Sequence, residues 1–209
     1  MVQIINELIS AILQVIIFTL IPFIFFLLRK NKSLTFFAYI GLTKPTTQSI
    51  IYVIGVALLF VLMGVGLTFI NEGIKQAVLL PNSVTGKIRL MGFNITSVSV
   101  LLIMALIKTS LSEEIFFRGF LAKRLINKLG FKTGNILQAI IFGLIHLLLF
   151  WLLTQTTFLP LIIILVFSSF AGWAIGYIKE KYANGSIIPG WVAHGLGNTL
   201  SYSIIAFVI

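Results

Sequence analysis

Residues 97–128 read SVSVLLIMALIKTSLSEEIFFRGFLAKRLINK. The first half is apolar apart from Lys108. The second half holds Glu113, Glu114 and Arg118, and the stretch closes on Lys123, Arg124 and Lys128. A run of this length with so few charges is enough to cross about 30 Å of hydrocarbon, which sets two adjacent carboxylates inside a membrane span. A charge at the bilayer centre costs about 3 kcal/mol even on lenient insertion scales. The chain has only 5 acidic residues, all Glu, at positions 7, 72, 113, 114 and 180. Its 2 histidines, His146 and His194, also lie in apolar stretches. A chain so poor in ionisable groups that keeps these four in the membrane points to their use.

Working outward, the same character holds along the chain. Of 209 residues, 59% are hydrophobic and 10% charged, against about 25% charged in a soluble domain. Apolar blocks cover 4–28, 49–70, 97–128, 135–153, 159–178 and 187–209. They are continuous, unlike the alternating strands of a β-barrel. The expected fold is all-α, a polytopic transmembrane helical bundle of about six spans, with six to eight as the range. Residues 1–96 supply N-terminal spans and a loop, and 97–209 form the functional core. No small-residue cleavage site follows the first block, which reads as a retained span kinked at Pro22. The patch 34–42 is too short to span, and it reads as an interfacial piece capped by Ser33. Residues 71–96 read as a loop with interfacial pieces, and Gly130 and Gly134 bracket a later turn.

The net charge of +10 does not indicate nucleic acid, because the basic residues gather at block ends. Arg29, Lys30, Lys32, Lys44, Lys123, Arg124, Lys128, Lys132, Lys179 and Lys181 fall on one side; Lys75, Lys87 and Arg89 fall on the other. That bias assigns the first set to the cytoplasm and both termini to the outside. Cysteine is absent, which excludes disulfides, thiolate metal sites and a Cys nucleophile. Ser168, Gly172 and Gly176, and Ala193 and Gly197, form small ridges that let helices approach closely.

On a helix Glu114 and Arg118 share a face and can pair. Glu113 is turned about 100° away, which leaves it a tunable proton affinity suited to a general base. The bland alternative is an ion cluster that only fixes packing. Phe142 and His146 are likewise i, i+4, as are His194 and Asn198. Each of these polar residues serves either as a site or as a hydrogen bond between helices. Counting about 1.5 Å per residue from the basic ends puts Glu113, His146 and His194 at overlapping depths, nearer the cytoplasmic side. Ser112 reads as a hydroxyl bonded to its own helix. Lys108 either contacts substrate or reaches to the outer interface.

Three short motifs carry a resemblance. EEIFFR (113–118) followed by Gly119 fits EExxxR, FGLIH (142–146) fits FxxxH, and HGLGN (194–198) fits HxxxN. Each is weak alone, but in this order, each on its own span, the set resembles the CAAX-protease and bacteriocin-processing (CPBP, Abi) intramembrane proteases. The resemblance implies peptide hydrolysis by glutamate-activated water at the cell membrane, with the active site in the cytoplasmic half of the bilayer. Glu113 would be the base and His146 would orient water. His194 and Asn198 would donate to the oxyanion, and Glu114, Arg118 and Phe142 would support them. The implied substrate is a membrane-associated peptide or protein, prenylated or not. No cofactor is expected. The rival within the same reading is a zinc site with Glu113, His146 and His194 as ligands, although no HExxH is present. The rivals outside it are a proton relay in a small transporter and a non-catalytic peptide-binding protein of bacteriocin self-immunity.

Overall fold

The structure, a computed structural model, describes residues 1–29 and 33–209. Lys30 and Lys32, two of the charges assigned to the first cytoplasmic loop, lie outside the described residues. Among the described residues the secondary structure is helical throughout, without a strand.

Helix α1 is Val2–Leu28 and runs through Pro22. A short α2, Phe36–Tyr39, and α3, Ser49–Ile70, follow. Two further short helices, α4 (Glu72–Val78) and α5 (Val84–Leu90), fill the expected loop. Helix α6 is Ile95–Leu129, α7 is Phe131–Thr154, α8 is Phe158–Lys181 and α9 is Ile188–Phe207. Five of them (α1, α3, α6, α7 and α8) are long and apolar enough to cross a membrane. Helix α9, at 20 residues, has the length, but its glycines, His194 and Asn198 lower its hydropathy.

The sequence explains the ends. Asn94 and Ser97 form a reciprocal capping box at the start of α6, with Ser97 N donating to Asn94 Oδ1 (3.1 Å) and Asn94 N to Ser97 Oγ (3.0 Å). Only Gly130 separates α6 from α7. Its φ of 78° is a left-handed value that glycine adopts without strain. Gly134 is not part of that turn but stands inside α7. A Cβ there would lie 2.5 Å from Ile126 N, so its role is the close approach of α7 to the end of α6. Helix α2 is capped by Thr35, whose hydroxyl accepts from Ala38 N, rather than by Ser33; the expected interfacial patch is helical only over these four residues.

The bundle has two distinct ends. At one, Lys44, Lys123 and Lys179 line a common cleft, Lys123 Nζ donates to Tyr39 O (3.2 Å), and Ser186 Oγ donates to Thr43 O (2.6 Å). At the other, Asn82 Nδ2 reaches Leu153 O (2.8 Å) and Phe93 stacks edge-on to Phe207. The packing is inverted relative to a soluble protein. Ile, Leu and Phe dominate the outer faces, while Glu114, Arg118, Asn135, Gln138 and Lys179 are buried. The ridge on α8 serves close packing as expected: Gly172 faces Ala139 and Phe142, and Gly176 faces Gln138.

Candidate active site

Glu113 sits at the middle of α6, between two π-helical stretches, Ile103–Leu111 and Glu114–Ala122. Such wide turns recur at functional sites, and here the sequence supplies side-chain donors to their carbonyls. Thr109 Oγ1 donates to Met104 O (2.9 Å) and Ser110 Oγ to Ala105 O (2.5 Å). Trp191 Nε1 of α9 donates to Leu106 O (2.7 Å), and Gln14 Nε2 of α1 to Lys108 O (2.7 Å). Ser112 Oγ also bonds Lys108 O and Thr109 O, the local role its position predicts.

The two carboxylates diverge as the helical arithmetic requires. Glu114 and Arg118 are both fully buried, with Arg118 Nη1 3.1 Å from Glu114 Oε1. The guanidinium carbon lies 4.2 Å from the centre of the Phe142 ring, a cation–π contact. Glu114 Oε1 is also 3.3 Å from His194 Nδ1. Gly190 makes room for this group, since a Cβ there would stand 2.8 Å from Glu114 Oε2 and 2.5 Å from Ile175 Cγ2. Gly190→Ala is therefore expected to destabilise the protein by about 1–3 kcal/mol, read as a lowered melting temperature in detergent.

Glu113 turns the other way, toward both histidines. Its Oε2 is 3.8 Å from His146 Nε2 and 3.8 Å from His194 Nε2. His146 Nδ1 donates to Phe142 O at 2.9 Å, because a carbonyl can only accept. Neutral His146 therefore presents an unprotonated Nε2. The Phe142 ring centre lies 4.2 Å from that of His146, with the two rings tilted by 42°. Glu113, His146, His194 and Asn198 share the wall of one cavity of about 340 Å³. The cavity extends from them toward the α4–α5 end, where Ile74, Val78 and Val84 line it.

All of the residues singled out by the three motifs thus meet: Glu113 with His146 and His194, Glu114 with Arg118 and His194, and Phe142 beneath Arg118 and His146. Asn198 reaches α6, where its Nδ2 lies 3.1 Å from Thr109 Oγ1 and 3.4 Å from Ser110 Oγ. Lys108 does not line the cavity; its Nζ binds Glu7 Oε1 at 2.6 Å, and Lys87 Nζ binds Glu7 Oε2 at 2.8 Å. Sequence reasoning passed over Glu7. The signal was available, because a lone carboxylate in an apolar helix needs a cationic partner. It also passed over Thr109 and Ser110, which look like ordinary helix residues.

As placed, the candidate ligands do not fit a zinc ion. Tetrahedral ligands about 2.0–2.1 Å from the metal stand about 3.3 Å apart, half an ångström closer than either Glu113–histidine distance. No group of three among the described His and Glu residues is spaced to hold a metal.

Residues 95–200 match the family described as type II CAAX prenyl endopeptidase Rce1-like. The match covers just over half of the 209 residues, includes the three motifs, and takes in α6, α7, α8 and most of α9. The chain belongs to this family of CAAX-type intramembrane endopeptidases, and it is a multi-pass membrane protein. No curated protein and no solved structure matches it.

Proposed function

We propose that this chain hydrolyses peptide bonds of membrane-associated peptides or proteins with water activated by Glu113, without a metal. One observation carries the reading: two imidazole Nε2 atoms, from α7 and α9, converge on one Glu113 oxygen at the wall of an apolar cavity. The 3.8 Å separation of Glu113 Oε2 and His146 Nε2 is too long for a direct hydrogen bond; opened by about half an ångström, the pair takes one bridging water. Both atoms are acceptors. A water between them gives one hydrogen to each and turns a lone pair toward the cavity. Glu113 takes the proton as the oxygen attacks and returns it to the leaving amine. His194, anchored through Nδ1 on Glu114, offers Nε2–H to the oxyanion in its imidazolium form. Arg118 pairs with Glu114 and holds it in place.

The substrate class is CAAX-type or bacteriocin and pheromone leader peptides, held with their apolar part in the cavity. The protein works in the cell membrane. Its site lies in the half nearer the basic loops, which the charge bias makes cytoplasmic.

The test is cleavage of prenylated and hydrophobic leader peptides by the purified protein in detergent, with and without a strong chelator. Cleavage that survives the chelator supports the metal-free reading. Loss with chelator and recovery with zinc would make Glu113, His146 and His194 ligands. No cleavage by a folded wild type favours the peptide-binding, self-immunity reading. A transporter would tolerate Asn198→Ala better than Glu113→Gln, whereas a protease is impaired by both.

A further inference from the structure

The hydrogen-bond network around Asn198 fixes which end of its amide meets the substrate. Thr109 and Ser110 carry one hydroxyl hydrogen each, and both are engaged by carbonyls of their own helix. Thr109 donates to Met104 O (2.9 Å) and Ser110 to Ala105 O (2.5 Å). Toward Asn198 both oxygens can therefore only accept. The atom of Asn198 that lies 3.1 and 3.4 Å from them is accordingly the amide nitrogen. That leaves Oδ1 as the end of Asn198 available to the cavity, which its side chain lines together with Glu113, His146 and His194.

We infer that Thr109 and Ser110 are positioning residues that hold Asn198 with its carbonyl oxygen toward the cavity, where that oxygen accepts a backbone N–H of the bound peptide. This rests on the protease reading and gives Asn198 a part in holding the substrate strand, as an acceptor. The attacking water is not its partner, because both hydrogens of that water are directed at Glu113 Oε2 and His146 Nε2. A peptide N–H is the donor that an extended substrate brings to the site.

The test uses a cleavable peptide and analogues in which each backbone N–H near the scissile bond is replaced in turn by an ester oxygen. One replacement is expected to lower wild-type kcat/KM about tenfold or more, mainly through KM, and to cost Asn198→Ala little. Thr109→Val, which keeps the shape and removes the acceptor, should abolish the same position-specific effect. An Asn198→Ala defect that lies in kcat and is equal across all analogues would overturn the inference, as would a Thr109→Val variant with unchanged or raised activity. Binding of the same series to Glu113→Gln reads the contact without turnover. A chain that cleaves nothing yet binds the parent peptide more tightly than one analogue keeps this contact and sinks the protease reading. Equal binding of all analogues sinks the contact. Side-chain amide NMR is a further check that is independent of substrate. The Asn198 NH₂ should be protected from solvent exchange in the wild type and lose protection in Thr109→Val; rapid exchange in the wild type overturns the orientation.

Discussion

Glu113→Gln is expected to lower kcat by about 10³-fold while KM and the melting temperature stay near wild type. The amide keeps the shape of the carboxylate and its place between the two Nε2 atoms, but it cannot take a proton from water. Glu113 makes no ion pair with Arg118, so its neutralisation leaves the buried Glu114–Arg118 pair intact. Steady-state cleavage of one peptide by both proteins, with a thermal melt of each, checks this. A loss of tenfold or less would show that Glu113 is not the base.

The largest stability effect is expected at Arg118. Its side chain is fully buried, ion-paired to Glu114 and stacked on Phe142. Arg118→Ala leaves a fully buried carboxylate without its cation and should cost about 3–5 kcal/mol. The measurement is unfolding in detergent by heat or denaturant. Replacing both partners at once, Glu114→Met with Arg118→Met, removes the unpaired charge and should recover most of that stability. Activity should not return, because His194 Nδ1 loses the carboxylate that lies 3.3 Å away. Stability and catalysis thus separate at one pair, which a purely structural ion cluster would not show.

Much of this architecture could be read from hydropathy and spacing. The span limits fall within a few residues of the helices because block length and charge placement answer directly to the bilayer. The divergence of Glu113 from Glu114 follows from the helical turn alone, and the motif residues meet because they occupy comparable depths on neighbouring helices. What stayed hidden depends on partners far apart in the chain. The wide turns of α6 rely on Gln14 and Trp191, some 90 positions away on either side. No local pattern announces them. The Glu7–Lys87–Lys108 cluster joins three elements, and periodicity within any one of them does not reveal it. Gly134 looks like a turn residue by composition and is instead a packing contact, a distinction made only by the backbone of α6.

The modest hydropathy of α9 has a consequence for biogenesis. A translocon releases a segment into lipid according to its own apolarity, and on that scale α9 is the weakest of the long helices. It is also synthesised after α3, α6 and α8. Its glycines let it lie against Leu106 of α6 and Phe60 of α3, and its imidazole and amide take their hydrogen-bond partners, among the described residues, from α6. Entry of α9 into the bilayer is therefore a docking reaction onto an assembled receptor rather than a simple partition from water to oil. The candidate site residues of α9 are also the ones that dock it, so a change in their α6 partners acts on the site and on the insertion of α9 together.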